Sequence, residues 1–333
     1  MNGTVRKAVI TAAGRGTRQY PASSAVQKEM FPLVDRDGLT KTVIQIIGEE
    51  AINAGVEQIC LVTQPGDEKL YADYFQGMTE ETFAAFADKP WAIEAAEHLA
   101  DFGRRLHFVS QDSPEGYGHA VYQAKDFVGD EPFLHLLGDH VYIAAAARNC
   151  AQQLIDVYEE GGFAAVSAVQ PTPEHLLHLF GTMKGEAVED RAGVWSVAAI
   201  EEKPGVERAR AHLRTPGIPA GQYLCHFGMH VFPPAIFEAL GHHIDHDLRI
   251  NGEIQLTNAQ EFMRTELLGG GPGGHPAYGA CSIEGRRFDT GIPYGLMETQ
   301  IGLALAGRHR GEIVESIALL LAEHLAPVAR KQG

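Results

Sequence analysis

The chain has 333 residues, 45% of them hydrophobic, enough for a large core and for one big α/β domain or two small ones. Its 43 acidic residues against 27 basic ones give a formal net charge of −16, which argues against a nucleic-acid groove, because tracking phosphates needs a basic face. An acidic chain still binds a nucleotide where its few cations converge on one site.

The opening run MNGTVRKAVITAAG has no charged segment followed by a long apolar one, so no secretory signal is expected. No later segment approaches the roughly 20 apolar residues of a membrane span, and a soluble, cytoplasmic protein is expected. Cys60, Cys150, Cys225 and Cys281 are widely spaced, which predicts reduced, buried, structural thiols.

Along the chain, short apolar runs rich in β-branched residues alternate with helix-length segments. Strands are predicted at 7–13, 58–63, 105–110 and 132–137, with helices at 40–54, after residue 63 and from His119. Residues 80–101 read as a helical excursion between two strands, with Trp91 and Phe102 as packing residues. Strands follow at 163–169, 193–202, 222–232 and 277–283, and helices at 234–240, 253–267, 293–306 and 312–325. This rhythm predicts an α/β fold with a Rossmann-like mixed, mostly parallel sheet covered by helices on both faces. Ligands of such sheets bind at the carboxyl ends of the strands, where the loops after Ala13, Ser110 and Leu137 gather.

One domain over 1–307, with the excursion at about 80–101 inserted, is expected, followed by a helical tail at 308–333 that docks on the body or on a partner subunit. GGGPGG at 269–274 is expected to be a flexible surface loop. HHIDHD at 242–247 has spacings that could hold a metal, but a solvated polar loop is the expectation.

The stretch VITAAGRGTRQYPASSAVQKEMFPLV at 9–34 carries the first chemistry. A buried strand ending at Ala13-Gly14-Arg15-Gly16 leaves backbone N–H groups free to cradle phosphate oxygens, and Arg18 and Lys28 supply countercharge. The same glycines also suit a tight strand-to-helix turn. Asp139 follows the apolar run PFLHLLG at a strand's carboxyl end, where it is either a Mg²⁺ ligand or a cap or turn residue. Gln111 opens the loop QDSPEGYGHA; its amide can donate and accept at once, as the pairing edge of uracil or thymine requires, while Gly116 and Gly118 allow close backbone approach. Glu201-Glu202-Lys203-Pro204 by itself reads as a solvated strand end.

The order G-x-G-T-R, K-E-M-x-P-L-V, then Gly116-Tyr117-Gly118-His119-Ala120, Leu137-Gly138-Asp139, Glu202-Lys203-Pro204 and Gly252-Glu253-Ile254-Gln255-Leu256-Thr257 resembles the sugar-1-phosphate nucleotidylyltransferases, most closely the bacterial UTP–glucose-1-phosphate uridylyltransferases. The resemblance runs in order from residue 8 to about 305. It implies the nucleotide-diphospho-sugar transferase fold and condensation of UTP or dTTP with a sugar 1-phosphate, by default glucose 1-phosphate, giving a nucleotide sugar and pyrophosphate. Arg18, Lys28, Asp139 and Lys203 become catalytic candidates. Ala13, Gly14, Gly16, Glu29, Gln111, Gly116, Gly118, Gly181 and Glu202 become substrate contacts. Asp139, with Asp289 of RRFDTGIP, becomes the ligand pair for Mg²⁺; Asp289 suits equally the N-cap of the helix predicted from residue 293. A homo-oligomer, dimer or tetramer, is implied as well.

The chain departs from the family pattern where Ser24 replaces a lysine, Gln27 a proline, Tyr117 a leucine, and Met229-His230 an arginine and a tyrosine. These changes keep two alternatives open: a non-catalytic regulatory or scaffold homologue, and an enzyme for a sugar phosphate other than glucose 1-phosphate. A glycosyltransferase would want Asp-x-Asp where Gly138-Asp139-His140-Val141 stands, and a nicotinamide dehydrogenase would want a third glycine after Gly14 and Gly16.

Overall fold

The computed structural model describes residues 3–270 and 277–325. In chain order its strands are β1 (Lys7–Thr11), β2 (Pro32–Val34), β3 (Thr40–Thr42), β4 (Gln58–Thr63), β5 (Leu106–Ser110), β6 (Phe133–Leu137) and β7 (His140–Ala144). They continue with β8 (Ala165–Pro173), β9 (Thr182–Ala187), β10 (Val194–Glu201), β11 (Gln222–Phe232), β12 (Tyr278–Ser282) and β13 (Gly285–Asp289). The described residues form a nine-stranded mixed sheet in the order β5-β4-β1-β6-β11-β8-β12-β10-β9. The run from β5 to β6 is parallel throughout; β11 pairs antiparallel with β6 and β8, and β12 pairs parallel with β8 and antiparallel with β10.

Alternation along each strand divides the apolar side chains between two cores. In β1, Ala8 and Ile10 enter the core on one face of the sheet while Val9 enters the other; in β4, Ile59 and Leu61 oppose Cys60 and Val62 in the same way. Both faces are therefore covered, which explains why these strands read as continuous apolar runs. The helix Val43–Ile52 lies between β1 and its parallel neighbour β4, and Thr42 caps it by accepting a hydrogen bond from Gln45 N–H at 3.3 Å. Asn149 caps Cys150–Glu159 likewise, at 2.7 Å from Gln152 N. All four cysteines are buried and free.

Several local expectations change. Residues 40–42, expected to begin a helix, instead form β3 and pair with β2 in a short hairpin. His242–Asp245 belong to the end of the helix Ala235–Asp245 rather than to a loop. The helix expected over 253–267 begins at Leu256 and passes at Phe262 into a π-turn, Met263–Leu267. The excursion contains the helices Glu80–Ala85 and Pro90–Gly103. Phe102 is buried there and stacks on Phe75, but Trp91 is 56% exposed and meets Phe86 edge to face. Of the GGGPGG run, residues 271–274 lie outside the described residues, as does the end of the tail at 326–333.

The tail's helix Arg310–Leu325 buries none of its residues and exposes Leu319, Leu320, Leu321 and Leu325. No described helix is long and apolar enough to cross a membrane.

Candidate active site

The carboxyl ends of β1 and β6 adjoin, and two groups of charged residues meet above them. Ala12 N–H donates to Val62 O at 2.7 Å, continuing the β1 ladder as far as the buried Ala13. Gly14 follows, and a side-chain carbon there would lie 3.3 Å from Lys28 Nζ. Gly16 adopts the left-handed conformation, φ 59°, and turns the chain into the 3₁₀ turn Thr17–Gln19, which presents Arg18 with a 57% exposed side chain. A second 3₁₀ turn, Lys28–Met30, brings Lys28 and Glu29 back under the same loop.

Asp139 sits between β6 and β7. A side-chain carbon on Gly138 would fall 2.5 Å from Thr11 O, so only glycine lets the end of β6 pass this close to β1. β7 pairs antiparallel with β13 in a separate two-stranded ribbon whose register sets Asp289 opposite His140. Thr290 fastens the junction by donating from its N–H and its hydroxyl to Asp139 O, at 2.8 and 2.9 Å. Ligand atoms of Asp139, His140 and Asp289 lie within 4.8 Å of one another. A side-chain carbon on Gly291 would fall 2.7 Å from Asp139 Oδ2, so this glycine keeps the space beside the carboxylates open. Asp289 does not cap the following helix, which runs Gly295–Ala306 after Tyr294; its Oδ1 accepts from Gly291 N–H at 2.8 Å, and its Oδ2 lies 3.8 Å from Arg18 Nη1.

Lys28 Nζ donates to Asp139 Oδ2 at 2.5 Å, and His140 Nδ1 lies 3.2 Å from Asp139 Oδ1. Burial alone would push the Asp139 carboxyl up, but His140 and Lys28 outweigh it and hold the group far below the ordinary carboxylate range. Burial alone would lower the Lys28 ammonium, yet Asp139 and Glu29 raise it. Glu29 is fully enclosed, neither carboxyl oxygen has a hydrogen-bond partner among the described residues, and burial lifts its pKa to about 8 against the pull of Lys28, 3.5 Å away. The loop thus holds two cations and three carboxyl groups.

Gln111 is buried and donates from Nε2 to Gly116 O at 3.1 Å, with His119 Nδ1 also 3.1 Å away, so the donor side of its amide braces its own loop. Gly116, φ 117°, and Gly118 press against Ile254: a side-chain carbon would lie 2.8 Å from Ile254 N in the first case and 2.9 Å from Ile254 O in the second. Gly118 N–H donates to Ile254 O, and Ile254 N–H donates to Glu115 O, at 2.9 and 2.8 Å. Across the sheet, Thr257 Oγ1 donates to Glu202 Oε2 at 2.7 Å, Lys203 Nζ lies 3.2 Å from Glu202 Oε1, and Lys203 N–H donates to Phe180 O beside Gly181.

Residues 7–267 match the model of the nucleotidyl transferase family. The chain belongs to that family. It is 34% identical over 326 residues to a UTP–glucose-1-phosphate uridylyltransferase of Bacillus subtilis strain 168, covering 95% of this chain and 97% of that one. A second relative of that name, from Streptococcus pneumoniae serotype 4, is 34% identical over 92% of each chain. Among solved structures, a UTP-bound UGPase from Acinetobacter baumannii superposes with a TM-score of 0.72 at 26% identity, covering 96% of this chain and 100% of that one. A UDP-glucose pyrophosphorylase complexed with UDP-glucose gives 0.68 at 25% identity, covering 90% and 98%. The mixed α/β fold is that of these nucleotidyl transferases.

Against the family pattern, Ser24 lies exposed in the turn Ala22–Ser24 and donates its hydroxyl proton to Pro21 O at 2.6 Å. Gln27 accepts from Gln64 Nε2 at 3.3 Å. Tyr117 and His230 both reach His135: Tyr117 Oη lies 2.5 Å from its Nε2, and the His230 ring stacks on it at 6.1 Å. His140, Thr290 and Gly291 around the carboxylates, and Thr257 behind Glu202, escaped sequence reasoning as site residues. The runs GDH, DTG and EIQLT were visible, but nothing in them shows which neighbour touches which carboxylate.

Proposed function

We propose that the chain is a UTP–glucose-1-phosphate uridylyltransferase: the glucose phosphate attacks UTP and releases pyrophosphate with formation of UDP-glucose. The observation that carries this reading is the meeting of Lys28, Arg18, Asp139 and Asp289 at one loop, with Glu202 and Lys203 at the strand ends beyond it. Transfer between two polyanions needs such an arrangement of cations and metal-binding carboxylates around an aligned pair. The names of the relatives support the choice of UTP and glucose 1-phosphate.

Asp139 and Asp289 offer hard oxygen donors, as Mg²⁺ prefers, with the bare Gly291 leaving room beside them, so the residues fit a divalent cation. When bound there, Mg²⁺ would neutralise phosphate charge. Arg18 and Lys28 would hold the triphosphate and the leaving pyrophosphate, and the glycine loop Ala13-Gly14-Gly16 would cradle phosphate oxygens; Glu29, expected as a substrate contact, is fully enclosed and would instead tune Lys28 from behind. Lys203 would hold the phosphate of the sugar, Glu202 its hydroxyls, and Gly181 would lie against the ring. Gln111 would use its carbonyl side toward uracil, with Gly116 and Gly118 giving the base access. The acceptor phosphate is already anionic at neutral pH, so alignment and electrostatics suffice without a general base.

We place the catalytic unit at 1–307 with the 80–101 insertion, and the reaction in the cytoplasm, where four buried free thiols stay reduced. The leucines exposed on Arg310–Leu325 support a dimer or tetramer formed through the 308–333 tail. Pyrophosphate release measured with UTP, dTTP, ATP and GTP against several sugar 1-phosphates tests the proposal. Release is expected with UTP, and more weakly with dTTP, when glucose 1-phosphate is supplied. Equal use of purine nucleotides, or no release, refutes it.

A further inference from the structure

Arg287 shares one face of β13 with Asp289, while Arg286 and Phe288 take the other, where the Arg286 guanidinium lies 5.6 Å from the Phe288 ring. On β7 the register partner of Arg287 is Tyr142, as His140 is that of Asp289. Arg287 thus stands next in line after the carboxylates, on their side of the ribbon. Its Nη1 donates to His226 O at 3.0 Å, and its guanidinium lies over the Phe180 ring, 4.4 Å from the centroid. Phe180 adjoins Gly181, and its carbonyl accepts from Lys203 N–H at 3.2 Å; Lys203 itself is held in the left-handed region, φ 44°. Arg287 therefore lies between the Asp139–Asp289 pair and the turn that carries Glu202 and Lys203.

The other candidate cations of the site each face an acid: Lys28 meets Asp139 and Glu29, Lys203 meets Glu202, and Arg18 meets Asp289. Arg287 forms no ion pair among the described residues, and its one hydrogen bond, to His226 O, leaves Nε and Nη2 without a partner there. Neither nitrogen is enclosed, so both donors open on solvent. The residue is half-buried, and burial draws its pKa below the ordinary value without removing the proton. A charge taken partly out of water without an opposite one is costly, and an anionic ligand offsets that cost. Nε and Nη2 form one edge of the guanidinium, which matches two oxygens of a single phosphate.

We propose that Arg287 binds the phosphate of the acceptor sugar 1-phosphate through its Nε–Nη2 edge, as a second cation beside Lys203. The inference rests on the proposed sugar 1-phosphate chemistry. A phosphate monoester carries about two negative charges at neutral pH, and Lys203, already facing Glu202, meets only part of them.

The test compares full-length wild type, Arg287→Met and Arg287→Lys in pyrophosphate release, with glucose 1-phosphate and UTP varied in turn. Arg287→Met should raise the KM for glucose 1-phosphate roughly 10- to 100-fold, the size of hydrogen bonds to a charged group, and leave the KM for UTP unchanged. Arg287→Lys keeps the charge without the fork and should fall between wild type and Arg287→Met. An arginine that only straps the ribbon to His226 O would move both KM values or neither, and either result overturns the proposal. A second readout needs neither variant nor turnover: phenylglyoxal labelling of Arg287 in wild type, located by mass spectrometry, should be slowed by glucose 1-phosphate and not by glucose. Equal labelling with and without the sugar phosphate overturns the proposal even where both variants fail to fold. No release by wild type from any sugar phosphate refutes the activity and this role together, whereas release with a wild-type KM in Arg287→Met refutes the role alone.

Discussion

Replacing Asp139 with asparagine removes one charge from an enclosed pair while keeping its shape. The two side chains are 13% and 11% exposed, and their contact is 2.5 Å, so Lys28 would be left as a nearly buried ammonium. Breaking such a pair from one side costs about 3–5 kcal/mol. Glu29, 3.5 Å from Lys28, would take up part of the charge and bring the cost toward the lower end of that range. Lys28→Met exposes the converse problem, a buried carboxylate beside His140. In the double variant both charges are gone, and its destabilisation should fall short of the sum of the singles by about 2–3 kcal/mol, the coupling of groups in direct contact. Urea unfolding at neutral pH, followed by far-ultraviolet circular dichroism, measures all four proteins. Turnover should be lost in all three variants while stability partly returns in the double, which separates the chemistry from the fold. Single costs that add to within about 0.5 kcal/mol would refute the buried pair.

Lys203→Ala should raise the KM for the sugar phosphate by about 10-fold or more and leave the KM for UTP unchanged, as steady-state kinetics with each substrate varied would show; equal effects on both would place Lys203 elsewhere. Glu29 binds its proton more tightly when folded, so the stability it contributes is complete below its unfolded pKa of about 4.5 and is lost as pH rises through about 8. Glu29→Gln should therefore melt like wild type near pH 5 and be the more stable, on the order of a few kcal/mol, near pH 8; parallel melting curves across that range would refute the shift. Thr257→Val removes the donor to Glu202 and should weaken use of the sugar phosphate by roughly 3- to 10-fold, read from kcat/KM; no change would mean that Glu202 orients itself.

The sequence made the sheet legible wherever a strand is buried on both faces. β4 and β11 carry the expected bounds, β1 ends two residues early, β6 begins one residue late, and β12 is one residue shorter at each end. Long-range pairing was not legible. β7 and β13 are five residues each, neither alternates distinctively, and their partnership spans about half the chain. Hence Asp139 and Asp289 could be named from motifs but not joined. His242–Asp245 looked like a loop because polar residues cluster there; the helix keeps them because His243 turns inward and its Nδ1 lies 2.8 Å from Ala239 O. Trp91 illustrates the opposite error, an aromatic at helical spacing whose helix is left uncovered on that side.

The β7–β13 ribbon also bears on when this protein becomes competent during synthesis. Beside its two strands, Thr290 and Asp139 are bonded across an interval of 151 residues, and closing so distant a pairing is slow compared with local helix formation. A chain still being made has its glycine loop, Lys28 and Asp139 long before Asp289 has left the ribosome. The first part of the carboxylate pair is thus made early, while the second arrives only when most of the polypeptide has been translated, so a chain cut short before residue 289 lacks the Asp139–Asp289 pairing altogether.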